Sequence, residues 1–221
     1  MAGCSRAGIV RAIEDTGVVA VVRLTDARAG LEVAQTLAAG GVRAIEVTMT
    51  VPGAVRLIQE LVKALPDDVI VGAGTVLDAE TAHEVMGAGA RFVVSPVFRP
   101  AVIAMCHQHD VPAMPGCFTP TEILEAWDAG ADIVKVFPST ALGPGFFKDL
   151  RGPLPQVRMM PTGGVSLENA GAWIYAGAVA LGVGTALVDP KAVADGRFDA
   201  ITSAAAAFVD TVRRARAESW S

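Results

Sequence analysis

One lysine of this chain lies inside an apolar run, whereas the other three have polar or turn-like neighbours. It is Lys135, which stands between Val134 and Val136. An ammonium group in an apolar interior loses its hydration, so burial favours the neutral amine. A neutral amine attacks ketones and forms a Schiff base with them. Lys135 is therefore a candidate nucleophile, and the alternative interpretations are a structural ion pair or a side chain that reaches along the core to the surface.

A glutamate lies inside a second apolar run in the same way. Glu46 and Thr48 alternate with Ile45 and Val47, and successive side chains of a strand point to opposite faces. If the branched aliphatic faces pack against helices, Glu46 and Lys135 both point into one enclosed interior. There Glu46 would exchange protons with a bound molecule through a water. The alternative is a counter-ion for the lysine.

Two glycine-rich segments suit a different task. One spans residues 162–166 and the other residues 182–185, and each follows an apolar run. Backbone N–H groups in such turns approach an anion closely, and the turns after the last two strands of a barrel commonly bind phosphate. The pair predicts a phosphate site, and two tight turns without a ligand are the alternative.

The elements that must position these residues recur along the chain. Apolar, β-branched runs start roughly 20 to 26 residues apart, with helix-like segments between them, as in βαβ units. The runs are 18–23, 44–48, 69–71, 92–95, 111–114, 133–137, 157–160 and 178–183. The helix-like segments are 26–39, 52–64, 78–87, 100–109, 120–129 and 166–176, and several close on glycine.

Eight such units predict an α/β fold, a single (β/α)8 TIM barrel, with an N-terminal helix over 7–15 and a C-terminal helix over 199–216. An open, doubly wound sheet is the alternative, because a sequence does not show closure. We expect a single domain over residues 1–221, since no linker is visible. Polar residues at the carboxyl ends of the strands would then meet at one mouth.

The composition excludes several classes of function. The chain has 221 residues, of which 52% are hydrophobic and 19% charged, with a net charge of −5. An acidic balance argues against a nucleic-acid binder and a membrane-surface protein, and no run reaches the roughly 18 apolar residues that span a bilayer. An odd number of cysteines without a secretory leader predicts free thiols and a cytoplasmic location; these are Cys4, Cys106 and Cys117.

Six motifs together resemble one known family. They are Gly-Gly-Val-Arg-Ala-Ile-Glu-Val-Thr at 40–48, Val-Gly-Ala-Gly-Thr-Val at 71–76, Val-Ser-Pro at 94–96, Met-Pro-Gly at 114–116, Lys-Val-Phe-Pro at 135–138 and Pro-Thr-Gly-Gly-Val at 161–165. In order and spacing they are similar to the 2-keto-3-deoxy-6-phosphogluconate (KDPG) and 4-hydroxy-2-oxoglutarate (KHG) aldolases. The resemblance extends from about residue 8 to residue 214.

This resemblance implies a class I aldolase, independent of metal and without a cofactor. It would cleave a phosphorylated keto-deoxy sugar acid to pyruvate and glyceraldehyde 3-phosphate. Lys135 would form the Schiff base, Glu46 would act as general acid and base, and Thr75 would bind the pyruvate carboxylate. The phosphate end would be lined by Gly163, Gly164 and Gly184. Further substrate-binding positions are Arg23, Thr48, Thr50, Pro96, Phe137, Thr162 and Thr185, and members are typically homotrimers.

One position departs from the family pattern. Many members carry an arginine two residues after the threonine of the Glu-Val-Thr motif, but this chain has Thr50 there. Arg23, at the end of the first predicted strand, is the nearest replacement for holding the carboxylate.

The sequence leaves three alternatives open to an aldolase that acts on the gluconate-derived substrate. One is the galactonate epimer or 4-hydroxy-2-oxoglutarate as the substrate. Another is an isomerase or epimerase that uses the same glycine turns. The last is a non-catalytic barrel that serves as a scaffold. His83, His107 and His109 lack the spacing of metal ligands, since positions two apart do not share a helix face.

Overall fold

The computed structural model describes residues 5–219, so the predicted free thiol of Cys4 lies outside the described residues. Within this range the chain alternates short strands with helices. The strands are β1 Val18–Val22, β2 Ala44–Thr48, β3 Ile70–Gly74, β4 Val93–Val94, β5 Ala113–Met114, β6 Gly116–Cys117, β7 Val134–Val136, β8 Met159–Pro161 and β9 Leu181–Val183. The helices are α1 Arg6–Thr16, α2 Gly30–Ala39, α3 Ala54–Ala64, α4 Ala79–Gly87, α5 Pro100–Gln108, α6 Pro120–Asp128, α7 Gly143–Arg151, α8 Leu167–Tyr175, α9 Pro190–Ala194 and α10 Phe198–Ser219.

All strand pairs are parallel, and they close into a barrel with eight strand positions. One sheet has the order β5-β4-β3-β2-β1-β9 and the other the order β6-β7-β8. Only Pro115, which lacks a backbone N–H, separates β5 from β6, so the two form one barrel strand. On the other side Thr162 bridges Gly182, and Val179 N donates to Met159 O at 3.0 Å. The predicted TIM barrel is confirmed, and the open sheet is not formed.

The two faces of the strands belong to two different apolar clusters. Ile45 and Val47 of β2, and Val134 and Val136 of β7, pack on the surrounding helices. The alternate positions contribute to an inner cluster that fills the barrel, as alternation along a strand requires. From the strands and the residues flanking them this cluster takes Val19, Ala44, Ile70, Phe92, Val94, Met114, Ile133, Met160 and Ala180.

Helix α1 closes the amino-terminal end of this barrel. Ser5 caps the helix by accepting a hydrogen bond from Gly8 N, and Gly17 ends it with a φ of +66°. Its buried residues Ile9, Val10 and Ile13 belong to the inner cluster. The floor of the barrel is therefore apolar and filled, which leaves the carboxyl ends of the strands as the open end.

Most predicted helices are present, with small shifts in their ends. Asp78 and Thr119 cap α4 and α6. The glycines that close four of the predicted segments have positive φ, namely Gly41, Gly89, Gly130 and Gly177. The predicted first crossover helix begins only at Gly30, because a 3-10 turn over Ala27–Ala29 precedes it. The terminal helices are each slightly longer than predicted.

One crossover helix was not predicted. Helix α7 connects β7 to β8, and it opens on the sequence Gly143-Pro144-Gly145, which by composition is typical of a loop. Proline is nevertheless favourable in the first helical turn, where its missing N–H costs no hydrogen bond. No helix within residues 5–219 has the length and apolar character needed to cross a membrane.

Candidate active site

The structure buries a small set of polar side chains in the strands or shortly after them. They are Glu46, Thr48, Ser95, Lys135, Ser139 and Thr162. Three of these are hydroxyls that donate to backbone carbonyls, with Thr48 bonded to Val22 O, Ser95 to Val76 O and Ser139 to Val136 O. The oxygens of Glu46 and the hydroxyl of Thr162 have no hydrogen-bond partner. Because buried polar groups are normally paired, unpaired ones mark a candidate site.

Lys135 points into the barrel as its alternation predicts. It is 5% exposed, and Ile133, two residues earlier, belongs to the inner cluster. Its ammonium nitrogen lies 5.1 Å from the centre of the Phe137 ring, a distance at which the ring face stabilises a cation. Its backbone N–H donates to Pro115 O at 2.9 Å. The strand thus holds the backbone in place while the amine faces the enclosed interior.

Glu46 points into the same interior from β2. It is 1% exposed, and it lies so close to Gly74 that any side chain at position 74 would collide with its carboxyl group. Burial raises the pKa of Glu46 above its ordinary value, and the positive charges of Lys135 and Arg23 oppose that rise. Neither carboxyl oxygen accepts a hydrogen bond, so no hydrogen-bonded pair with Lys135 is formed. A carboxyl group in this state can both accept and return a proton.

A pocket opens at the mouth of the barrel, and its wall includes Phe137, the ring that faces the Lys135 amine, but neither Lys135 nor Glu46. Its volume is about 280 Å³. Of the predicted substrate-binding residues it is lined by Arg23, Phe137, Thr162, Gly163, Gly164, Gly184 and Thr185. Val165, Ser166 and Gly182, from the two predicted glycine-rich segments, also line it, whereas Val21, Ala186 and Val188 were not predicted. Thr162 lines this wall, but its hydroxyl, which has no hydrogen-bond partner, is buried against Gly182.

The glycine turn after β8 has the geometry that an anion site needs. Gly163 and Gly164 have φ values of +88° and +75°, which favour glycine over other residues. Asn169 fixes the turn, because its Nδ2 donates to Gly164 O at 2.8 Å and its Oδ1 accepts from Ser166 N at 2.9 Å. Helix α8 begins directly afterwards at Leu167, and the positive end of a helix attracts anions.

The second glycine segment differs from its prediction. Gly182 is a buried residue within β9, and its missing side chain makes room for the Thr162 hydroxyl. The turn itself begins at Gly184, whose carbonyl accepts hydrogen bonds from Leu187 N and Val188 N. Because α9 begins only at Pro190, no helix follows this turn directly, although Gly182, Gly184 and Thr185 all line the pocket.

Arg23, Thr48 at the end of β2 and Thr50 just beyond that strand lie at another part of the mouth. Arg23 is exposed, and it lines the pocket. Thr48 is buried, and its hydroxyl lies 2.7 Å from that of the exposed Thr50. Because Thr48 donates to Val22 O, it accepts the hydrogen bond from Thr50. Position 50, where the resemblance implies an arginine, is therefore occupied by an uncharged hydroxyl bonded to Thr48.

The remaining predicted residues lie after β3 and β4. Thr75 is half-buried and has a φ of +61°, a conformation that costs energy for a threonine and that occurs preferentially at functional sites. Ser95, which follows β4, fixes the adjoining segment because its hydroxyl donates to Val76 O at 2.6 Å. Pro96 is half-buried beside Gly116. Neither Thr75 nor Pro96 lines the 280 Å³ pocket.

Other reactive side chains are occupied elsewhere. Burial raises the pKa of Cys117 to about 12, so its thiol is a poor nucleophile near neutral pH. His107 pairs with Asp132 at 3.2 Å. Within residues 5–219, no three His, Cys, Asp or Glu side chains are grouped so that they could hold a metal ion.

Comparisons with known proteins extend over most of the chain. The sequence model of the family described as "KDPG and KHG aldolase" matches residues 9–204. The 2-dehydro-3-deoxy-phosphogluconate aldolase of Treponema pallidum is 37% identical over 196 residues, which cover 88% of this chain and 93% of that protein. A probable 2-dehydro-3-deoxy-6-phosphogalactonate aldolase of Rhizobium meliloti is 38% identical over 168 residues, which cover 75% and 79% of the two chains.

A solved structure shows the same likeness. It is the KDPG aldolase from Legionella pneumophila with pyruvate captured as a covalent carbinolamine intermediate, and it is 29% identical to this chain with a TM-score of 0.82. The match covers 90% of this chain and 97% of that one.

Proposed function

Because the chain belongs to the KDPG and KHG aldolase family, we propose that it cleaves 2-dehydro-3-deoxy-6-phosphogluconate to pyruvate and D-glyceraldehyde 3-phosphate. The chain is a lyase of the class I aldolase type, and we assign the activity to one domain over residues 1–221. The observation that supports this assignment most directly is Lys135, an inward-pointing amine beside the unpaired carboxyl group of Glu46.

In the proposed reaction, Lys135 supplies the nucleophile. Its neutral amine attacks the C2 ketone, and loss of water from the resulting carbinolamine gives an iminium ion. This cation accepts the electron pair of the C3–C4 bond when that bond breaks. The ring of Phe137, 5.1 Å from the nitrogen, stabilises positive charge at this position.

Glu46 moves the protons of the proposed reaction. Its carboxylate removes the proton of the C4 hydroxyl through a water, so that C4 becomes the aldehyde of glyceraldehyde 3-phosphate. The protonated carboxyl group then returns a proton to C3 of the enamine, and hydrolysis of the iminium releases pyruvate and the free amine. The raised pKa of Glu46 suits a group that must hold the proton between these two steps.

The two ends of the substrate are held on different sides of the amine. We assign the phosphate to the turns at Gly163, Gly164 and Gly184, with Thr185, and the carboxylate to Thr75 with Arg23 as the nearby cation. Holding both ends fixes C2 against the amine, and such positioning can contribute several kcal/mol to catalysis. Thr48, Thr50, Pro96 and Thr162 are assigned to the walls between the two ends.

Trapping with borohydride tests the assignment of Lys135. Pyruvate and borohydride should add one reduced pyruvate per chain to the wild-type protein, detected by mass spectrometry, and Lys135→Ala should abolish the adduct. Lys63→Ala is the matched control, because Lys63 is an exposed lysine of α3. An adduct that persists in Lys135→Ala contradicts the assignment. Wild-type protein without adduct or turnover supports the isomerase or scaffold alternatives instead.

A second substrate is the galactonate epimer, 2-dehydro-3-deoxy-6-phosphogalactonate. The relative from Rhizobium meliloti and the uncharged Thr50 at the mouth support it, because the group that holds the carboxylate also sets which face of C4 meets Glu46. Comparing kcat/KM for the two epimers and for 4-hydroxy-2-oxoglutarate, which yields pyruvate and glyoxylate, identifies the preferred substrate. A value for the galactonate epimer at least tenfold higher would replace the gluconate assignment.

The proposed enzyme is a cytoplasmic homotrimer. Buried free thiols at Cys106 and Cys117 support a reducing compartment. Exposed apolar side chains after three neighbouring strands support self-association, and these are Leu77, Val97 and Phe118. The number three comes from the family resemblance.

A further inference from the structure

Ser139 is a buried hydroxyl that none of the proposed catalytic steps uses. It lies three residues after β7, in the 3-10 turn Ser139–Ala141, and it is 1% exposed. Its hydroxyl donates to Val136 O at 2.8 Å and accepts from Thr162 N at 3.2 Å. One side chain therefore joins the end of the strand that carries Lys135 to the first residue of the glycine turn.

The backbone of the same residue reinforces this connection. Ser139 N donates to Thr162 O at 2.9 Å, and Thr162 N also donates to Val136 O at 3.0 Å. Both backbone polar groups of Thr162 are thus bound to the segment 136–139. The Thr162 side chain is left without a partner and forms part of the pocket wall.

The turn packs closely on the residue after Ser139. A Cβ atom added at Gly164 would lie 3.0 Å from the Thr140 Cα atom, and one added at Gly163 would lie 3.6 Å from Ser139 N. Segment 139–140 is therefore the support on which the glycine turn rests. A shift of this segment therefore moves Gly163 and Gly164, which line the pocket.

We propose that Ser139 is a positioning residue that fixes the distance between the Lys135 amine and the phosphate-binding turn. The inference rests on the proposed function, because it requires a substrate that is bound covalently at one end and by its phosphate at the other. The length of such a substrate is set by its covalent bonds, so the protein must hold the two sites at a matching separation. Loss of the hydroxyl leaves Thr162 N with one acceptor and allows the turn to move relative to β7.

The test compares a reaction that needs the phosphate with one that does not. Pyruvate has no phosphate, so its rate of borohydride-trapped adduct formation reports on Lys135 and the carboxylate end, whereas kcat/KM for 2-dehydro-3-deoxy-6-phosphogluconate reports on the phosphate-binding turn as well. For Ser139→Ala we expect kcat/KM to fall about tenfold, with adduct formation within about twofold of wild type. Ser139→Thr, which keeps the hydroxyl, should recover most of the loss.

Ser95→Ala is the matched control. Ser95 is also buried and also donates to a backbone carbonyl just after a strand, Val76 O beyond β3, but Val76 adjoins Thr75 at the proposed carboxylate end. Because pyruvate and the full substrate share that carboxylate, Ser95→Ala should change both rates by the same factor. Equal losses in Ser139→Ala, or no loss in either rate, would overturn the proposal.

Two further outcomes differ from those above: a Ser139→Ala variant that does not fold, and a wild-type protein that forms no pyruvate adduct. If Ser139→Ala does not fold, Ser139→Cys gives the same comparison, since a thiol of similar size is only a weak donor. If the wild-type protein forms no pyruvate adduct, the proposed function fails, whatever the behaviour of the Ser139 variants.

Discussion

Glu46 links catalysis to stability at the scale of a single residue. Burial raises its pKa in the folded chain, against the opposing charges of Lys135 and Arg23. The folded state therefore binds the proton more tightly than the unfolded state does. By linkage, this contribution to stability is fully present below the pKa of the unfolded chain and is lost as the pH rises through the pKa of the folded chain. The protein retains a carboxyl group that is costly at neutral pH because the proposed reaction needs it there.

Replacing Glu46 by glutamine should make this cost visible. Glu46→Gln removes the titrating group. The Tm of the variant minus the Tm of wild type should therefore increase as the pH is raised from 4.5 to 8, by an amount on the order of a few degrees. Differential scanning calorimetry at several pH values measures it. Glu84→Gln, an exposed change in α4, is the control and should show a constant difference. A constant difference for Glu46→Gln would contradict the linkage, and aldol cleavage should be nearly lost in that variant.

At the scale of an element, helix α1 supports the candidate site from the opposite end of the barrel. It fills the amino-terminal end of the barrel with Ile9, Val10 and Ile13, so that the layer above them, which carries Glu46 and Lys135, has a solid apolar support. The end of the barrel below the amine is therefore packed with apolar side chains. The helix contributes to the environment of the site without contacting a substrate.

Truncation of this support should lower stability more than activity. Ile13 is fully buried, so Ile13→Ala should cost about 2 to 5 kcal/mol and lower Tm by roughly 5 to 15 °C. Arg11→Ala, at an exposed position of the same helix, should change stability by less than about 0.5 kcal/mol. Thermal unfolding followed by circular dichroism measures both variants. Equal Tm values for Ile13→Ala and Arg11→Ala would show that α1 is not part of the core.

Elements that repeat a local pattern were predictable, and contacts between elements were not. The inward direction of Glu46 and Lys135 follows from strict alternation with branched aliphatic residues, which a sequence displays directly. Helix α7 was missed because Gly-Pro-Gly in a first helical turn has the composition of a loop. The bond between Ser139 and Thr162 joins residues 23 positions apart, and nothing in either residue's neighbours indicates the other.

At the scale of the whole molecule, one side of the barrel mouth is apolar and exposed. Leu77 follows β3, Val97 follows β4 and Phe118 follows β6, and these strands are neighbours in the barrel. Arg99 joins two of the loops, since its Nε donates to Leu77 O at 3.1 Å. Apolar side chains gathered at one place on a surface are typical of an interface. In the proposed trimer this surface would adjoin the loops that hold Thr75 and Pro96.

Two exposed valines provide a direct test of this assembly. Val97 is 48% exposed beside the mouth, and Val62 is 42% exposed on α3. Val97→Glu places a charge where the proposed interface would remove it from water, at a cost of several kcal/mol, so sedimentation velocity should show a shift from trimer to monomer. Val62→Glu introduces the same charge at a similarly exposed position elsewhere, and it should sediment as wild type does. A trimer that survives Val97→Glu would place the interface on another surface, and a monomeric wild-type protein would contradict the trimer itself.

Because the loops of Thr75 and Pro96 lie at the same end of the barrel, Val97→Glu should also raise the KM for substrate, whereas Val62→Glu should leave it unchanged.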